Sequence, residues 1–264
     1  MTTEHEVSTR QACQTLSLPR STHRYKPRPK DDSEVEGRLT ALVSKHPSIG
    51  FWKCFYRLRR QGFDWNHKRV RRVYKKMNLN MRRRHKRRLP VRIRQPLLQP
   101  SAINQVWSVD YMSDTLTDGR RFRVLNIMDD YNREILANDA DTSLPASRLI
   151  RLLDRLKEYR GVPEVLRSDN GPEFISDRLR QWADDHAVEL RFIQPGKPMQ
   201  NGFVERLNGS CRRELLDAYL FETLDQVRHM AAEWMFDYNH HRPHQSLNFR
   251  APIELGNTGS SHLT

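Results

Sequence analysis

Apolar positions in the first eighty residues recur at helical spacing, and beyond residue 104 the pattern turns to alternating strands and helices. Ser8 caps a short helix that Ser17-Leu18-Pro19 breaks, and Ser21 starts another turn before a Pro-rich stretch, 25–30. Val35, Leu39, Leu42 and Val43 keep a three–four spacing over 33–45. Phe51, Cys54, Phe55 and Leu58 share one face of 50–61, which Gly62 ends. Asn66 is placed to cap a third helix, 67–77, whose apolar positions are Val70, Val73, Tyr74 and Met77. Strands are expected at 106–112, 122–129 and 133–140, the first two joined by the hairpin signal Asp118-Gly119. A helix over 145–159 closed by Gly161, a short strand 164–167, a helix 173–186 and a strand 188–193 follow. Helices over 202–218 and 224–239 complete the pattern. Three antiparallel strands and then alternating helix and strand predict an α/β domain with a mixed sheet, preceded by an all-α region.

Charge divides the chain in the same place. Residues 1–100 hold 26 Lys/Arg and 7 Asp/Glu, a net of +19, whereas residues 101–264 hold 20 and 25, a net of −5. This asymmetry assigns the N-terminal part to nucleic acid. Lys68, Arg69, Arg72 and Lys75 lie on the third helix of a three-helix unit, where a helix-turn-helix places its groove-reading element. Arg82, Arg83 and Arg84 open a nearly continuous basic run that can neutralise phosphates without reading sequence. No apolar run reaches transmembrane length, and residues 1–6 lack the basic and apolar regions of a signal peptide. Cys13, Cys54 and Cys211 are few and widely spaced, which fits a reducing compartment and neither a disulfide framework nor a zinc site.

Within the acidic part, Asp110 falls mid-strand, Asp169 follows the short strand at its C-terminal end, and Glu205 lies in the first turns of a helix. Carboxylates are the preferred ligands of Mg²⁺ and Mn²⁺, and two such ions can clamp the attacking and leaving oxygens of a phosphoryl displacement. Taken singly, each has a structural reading: a strand-edge charge, an Asx turn in Ser168-Asp169-Asn170-Gly171, a helix-start glutamate. Together, in a chain of net charge +14, they point to phosphodiester chemistry on a polyanion. The loop 195–201 supplies Lys197, Gln200 and Asn201 as groups able to position a DNA strand. Three His between 239 and 244 do not make a zinc site, since Arg242 and Pro243 interrupt them and no Cys is near; Arg242 and His244 are expected to bond backbone or contact DNA. Trp107, Trp182 and Trp234 are expected in the core.

The flanks of these carboxylates carry a resemblance. Trp107-x-x-Asp110, Ser168-Asp169-Asn170-Gly171-Pro172-Glu173-Phe174, Pro195-Gly196-Lys197-Pro198-x-Gln200-Asn201-Gly202-Phe203-x-Glu205-Arg206-x-Asn208-Gly209, Arg212 and Tyr238-Asn239-x-x-Arg242-Pro243-His244-x-x-Leu247 resemble the DD(35)E transposases of the retroviral-integrase superfamily. More narrowly, the chain looks like the second-frame (OrfB) product of insertion-sequence-three-family elements. One departure is Arg167, where many members carry His.

The resemblance implies an RNase H-like catalytic core over 104–255. Before it come a short helical segment (1–30), a helix-turn-helix domain (31–80) and a basic linker (81–103); a tail (256–264) follows. It implies that Asp110, Asp169 and Glu205 hold two Mg²⁺ or Mn²⁺ ions, and that Arg212, two turns beyond Glu205 on one helix face, binds DNA beside them. The implied reaction is hydrolysis at a transposon end followed by strand transfer of the freed 3′-OH. Double-stranded DNA, a homo-oligomer on it and an upstream-frame (OrfA) protein are the implied partners, in a bacterial, nucleoid-associated cytoplasmic setting. Two rivals remain: a non-catalytic DNA-binding regulator and a plain RNase H-type nuclease. The intact carboxylates oppose the first, and the basic helical N-terminus opposes the second.

Overall fold

The computed structural model describes residues 8–26, 31–80, 99–194 and 198–256, with the side chains of Pro198 and Met199 left aside. Arg82, Arg83, Arg84 and Lys197 lie outside the described residues, as do most of the expected linker and the tail beyond 256. Two short helices come first, α1 (Thr9–Thr15), capped by the Ser8 hydroxyl, and α2 (Arg20–Arg24). The helical unit proper comprises α3 (Ser33–Lys45), α4 (Phe51–Arg60) and α5 (His67–Lys76). As the spacing requires, Val35, Leu39, Cys54, Leu58, Val70, Val73 and Tyr74 form one buried cluster. Each fully buried aliphatic side chain here contributes about 1.5–3 kcal/mol. Asn66 caps α5 by accepting from the Lys68 amide at 2.8 Å.

The larger unit is built on a five-stranded sheet. Its strands are β1 (Val106–Thr115), β2 (Arg121–Asp129), β3 (Ile135–Asp141), β4 (Val165–Ser168) and β5 (Glu189–Phe192), in spatial order β3-β2-β1-β4-β5. The first three are antiparallel, while β4 and β5 run parallel to β1. Gly119, at φ +88°, turns the β1–β2 hairpin in a region a side chain would strain. Helices α6 (Ala146–Arg160) and α7 (Asp177–Asp185) cover one face, packing Leu149, Leu153 and Trp182 on Trp107, Val109, Leu125 and Ile127. Helices α8 (Gly202–Cys211) and α9 (Leu224–His240) cover the other, and a four-residue turn, α10 (Ile253–Gly256), ends the described chain.

Three elements differ from the sequence-based expectation. Strand β1 runs three residues further, to Thr115, because its whole length pairs with β2. The helix expected over 173–186 begins only at Asp177. A turn closed by the Phe174 and Ile175 amides on the Gly171 carbonyl precedes it, and the Ser176 hydroxyl caps it on Leu179 N. The helix expected over 202–218 is α-helical only to Cys211 and continues as a π-helical turn, Arg212–Leu216. The helical unit docks on α9 and the C-terminal segment. Arg57 donates to both oxygens of Asp237 at 2.9 and 2.5 Å, and the rings of Tyr56 and Phe249 stack 4.0 Å apart.

Candidate active site

Strand register brings the first two carboxylates together. Parallel β4 pairs with β1 through Val106–Val165, Trp107–Leu166 and Ser108–Arg167. Two residues further along each chain stand Asp110 and Asp169, on adjacent strands whose axes are about 4.8 Å apart. Here β4 ends while β1 continues. The Asn201 side chain donates at 3.3 Å to the Val109 carbonyl that the departing strand leaves open. That bond seats the start of α8, whose fourth residue is Glu205. The site therefore sits where the sheet order reverses, with antiparallel β2 on one side of β1 and parallel β4 on the other, the position at which open α/β sheets hold ligands.

Each carboxylate is held differently. Asp110 is half-buried; its Oδ1 accepts from its neighbour's amide, Tyr111 N, at 2.8 Å, and its Oδ2 accepts from Asn208 Nδ2 at 2.8 Å. Burial first, and then the charges of Asp169 and Glu205, push its pKa up to about 6. Asp169 Oδ1 accepts from Gly171 N at 2.9 Å, so the Asx turn is real and coexists with the proximity to Asp110. A Cβ on Gly171 would stand 3.0 Å from Asp169 Oδ1, so any side chain there presses on the carboxylate. Glu205 is the most exposed of the three, and what burial it has raises its carboxyl above the ordinary value. Phe174, fully buried, anchors the Asp169 loop by stacking on Tyr111 with ring centres 5.0 Å apart. The Arg123–Glu173 ion pair closes the same loop, with the Arg123 guanidinium 4.1 Å from the Tyr111 ring centre.

Among the described residues, none of the three carboxylates is in an ion pair. Among these residues, no three Asp, Glu, His or Cys side chains close on one point tightly enough to grip an ion as they stand. Like charges without a counterion hold apart, and Gly171 N and Asn208 restrain two of the three. A hard-oxygen donor set within Coulomb range, with no cation partner of its own, fits Mg²⁺ or Mn²⁺.

The DNA-binding expectations fare unevenly. Asn201 is buried and bonded to β1, which removes it from the groups able to meet DNA; it is a structural residue of the site. Gln200 accepts from Gln194 N at 2.8 Å and ties its loop to the end of β5. Arg212 does not reach freely from the Glu205 face. It donates to the Ser113 carbonyl at 2.7 Å and pairs with Asp114 at 3.2 Å, where the π-helical turn carries it toward β1. On α5, Arg69 and Arg72 pair with the buried Asp32 at 3.2 and 2.7 Å, whereas Lys68 and Lys75 are exposed without an ion pair among the described residues. Arg242 is buried in an ion pair with Glu214, and His244 is half-buried against Tyr238 with its Nε2 unbonded, so both are turned toward the protein. Trp107 and Trp182 are core residues, as expected, whereas Trp234 is only partly buried at the edge of its cluster. Arg167 is buried and pairs with Asp130 at 2.8 Å, a partnership that explains a cation at this position.

Sequence reasoning assigned no role to Asn208, Asn126 or Asn138. Asn208 lies three residues beyond Glu205, one turn along the same helix face. Asn126 and Asn138 interrupt the inward-facing apolar positions of β2 and β3, a signal visible as two polar residues where alternation expects core.

An HTH-like unit joined to a mixed-sheet core with carboxylates at the sheet's reversal defines an integrase-type protein. Residues 100–198 and 186–252 match the integrase core domain family, and residues 30–87 match the HTH-like domain family. The chain is 39% identical to the 31.7 kDa protein of insertion element IS407 from Burkholderia multivorans, over 94% of this chain and 90% of that one. It is 36% identical to the 39.2 kDa protein of insertion element IS476 from Xanthomonas euvesicatoria, over 94% and 72%. Its fold matches an integrase chain of the simian T-cell lymphotropic virus intasome with a TM-score of 0.52 at 17% identity, over 87% of this chain and 76% of that one. The chain belongs to the insertion-sequence-three-family transposases of the retroviral-integrase superfamily.

Proposed function

We propose that this protein cleaves transposon ends and transfers the resulting 3′-OH strands into target DNA, with Asp110, Asp169 and Glu205 as the ligands of two divalent cations. The observation that carries the assignment is the register of β1 on β4, which sets Asp110 beside Asp169, neither of them in an ion pair among the described residues. When bound, Mg²⁺ or Mn²⁺ would offset the charge of carboxylates and phosphate and polarise the scissile phosphorus–oxygen bonds.

The chain's own contribution is placement. Asp110 is held at both oxygens, Asp169 at one by Gly171 N, and Glu205 rides on α8, which Asn201 pins to β1. No covalent link to the enzyme is required: an oriented water and then an oriented 3′-OH displace in line, and positioning supplies much of the rate. Lys68 and Lys75 on α5 face solvent and are assigned to DNA phosphates or bases; Arg69 and Arg72 hold Asp32 and keep α5 square on α3. Arg212, between Asp114 and solvent, is assigned to DNA beside the site. Two transposon ends call for two active sites, so a homo-oligomer assembled on DNA is part of the proposal, as is an upstream-frame partner that adds end recognition. A cytoplasmic, nucleoid-associated setting completes it; among the described residues no helix is long and apolar enough to cross a membrane.

Strand transfer measured on terminal-repeat oligonucleotides with Mg²⁺ tests the reading. Glu205→Gln should abolish both cleavage and joining. Joining that survives this change refutes the ligand assignment, and cleavage without any joining by the wild type favours a nuclease.

A further inference from the structure

The sheet face beneath α8 carries a polar row that the assigned chemistry does not use. Cross-strand register sets Asp110 on β1 opposite Asn126 on β2, and Asn126 opposite Asn138 on β3. Directly opposed residues point to the same face, so three polar side chains cross three adjacent strands in line. Asn126 is fully buried. The row divides the core on this face into two clusters. One holds Met112, Phe122, Val124 and Ala140; the other holds Met128, Ile135, Val204 and Leu207.

The amides are bonded in one direction. Asn138 Nδ2 donates to Asn126 Oδ1 at 2.6 Å, Asn126 Nδ2 to Asn208 Oδ1 at 2.7 Å, and Asn208 Nδ2 to Asp110 Oδ2 at 2.8 Å. An ionised carboxylate only accepts, so it fixes which way Asn208 faces; Asn208 then fixes Asn126, and Asn126 fixes Asn138. Serial bonds of this kind polarise one another toward the charged end. Replacing bonded buried polar partners by apolar groups of the same shape is close to neutral for stability. A core of leucines would therefore serve the fold equally well, and the row needs another reason.

We infer that Asn126 and Asn138, acting through Asn208, are positioning residues that fix the Asp110 carboxylate in the orientation a divalent cation requires. The inference rests on the assignment of Asp110 as a ligand. With Tyr111 N on Oδ1 and Asn208 on Oδ2, the carboxylate cannot turn about its own bond. Without Asn126, the Asn208 amide loses its only fixed donor and swings on α8, and Asp110 keeps a single restraint. The carboxylate then spends part of its time turned away from the site.

The test is Mn²⁺ affinity of the full chain without DNA, measured by calorimetry beside the melting temperature. Asn126→Leu strands Asn138 Nδ2 and Asn208 Oδ1, so its melting temperature should fall, and it should also bind Mn²⁺ about tenfold to a hundredfold more weakly, the usual effect of removing a group that orients a ligand. Asn138→Leu should weaken binding in the same direction by less. A merely structural role would move the melting temperature and leave the affinity alone. Asp110→Asn is the control and should bind Mn²⁺ far more weakly still. Wild-type affinity in Asn126→Leu, alongside loss in Asp110→Asn, overturns this inference and leaves the proposed function standing. Wild-type affinity in Asp110→Asn overturns the ligand assignment and the inference with it. Should Asn126→Leu not fold, Asn208→Ala carries the same test from a half-buried helix position, and wild-type affinity there is equally fatal.

Discussion

His244 is a test of how far this core is built on neutral histidine. Burial first, and then the cations Arg242, Lys53 and Arg133, press its pKa down to about 3; a bond to the Tyr238 backbone is the only opposing effect. Arg242 is itself committed to Glu214, and no carboxylate is bonded to the imidazole, whose Nε2 has no partner. The unfolded chain keeps the ordinary value of about 6.5. As pH falls through 6.5 the unfolded state takes up a proton that the folded state refuses, so stability drops and goes on dropping to about pH 3. Between pH 7 and pH 5 that linkage is worth about 2 kcal/mol, or roughly 4–8 °C in melting temperature for a chain near this size. His244→Leu keeps the bulk against Tyr238 and removes the proton. The variant should lose less stability than wild type over this interval, by about 2 kcal/mol, in urea unfolding at the two pH values. Equal losses in the two proteins would refute the reading: His244 would then be titrating normally, and the burial and cation field described for it would be wrong.

Other consequences are open to measurement. Gly171→Ala puts a Cβ 3.0 Å from Asp169 Oδ1; with the main chain fixed, the carboxylate must give way, and strand transfer should fall about tenfold at little change in melting temperature. Asp110→Asn removes a charge that the metal-free fold holds against burial and two carboxylates. At pH 8 it should raise stability by about 2 kcal/mol, from about 3 gained on the pKa displacement less about 1 for a lost hydrogen bond. The gain should vanish below about pH 4, where Asp110 is protonated in both states; a loss of stability at pH 8 would contradict the crowding. Asp237→Ala should cost about 3 kcal/mol because it strands the buried Arg57, Arg57→Ala should cost less because Asp237 is half-buried, and the double variant should be little worse than Asp237→Ala. Additive losses in that cycle would mean the two side chains act independently. Lys68→Gln and Lys75→Gln should each lower the salt slope of DNA binding by about one, and an unchanged slope would remove α5 from the interface.

Much of the fold is written in local periodicity, and the exceptions have identifiable causes. The spacing of Val35, Leu39, Cys54, Leu58, Val70 and Val73 is enough to define three helices and the cluster they bury. The late start of α7 is not legible in the same way. Pro172-Glu173-Phe174 reads as a helix opening, yet Phe174 is drawn into the core against Tyr111 and Ser176 takes the cap. The π-helical turn after Cys211 is likewise set by packing, since Leu215 and Leu216 must both be buried beside Phe221. For the site, the residue types and their spacing identify Asp110, Asp169 and Glu205. What places the first two side by side is a strand register formed by residues some sixty apart, which periodicity cannot give. Side-chain roles were the least legible. Asn201, Arg69, Arg72 and Arg242 look like surface DNA contacts in one dimension, and each is committed to a partner inside the protein.

The two faces of the sheet show how this fold divides its tasks. Toward α6 and α7, the residues Trp107, Val109, Leu125, Ile127, Leu153 and Trp182 make one uninterrupted apolar cluster. That face can be optimised for stability alone, since no functional side chain points into it. Toward α8 the polar row splits the core, and Asp110 is held charged at neutral pH against burial and two like charges. That burial and those like charges oppose folding in the absence of a cation, and both act on the same carboxylate. The stability they forgo must come from elsewhere, and the continuous cluster on the opposite face, directly behind β1, is its nearest source. A rigid β1 then serves both layers: its odd-numbered side chains, Trp107, Val109 and Tyr111, lock the strand into the apolar face, and that fixes where its even-numbered Asp110 is presented.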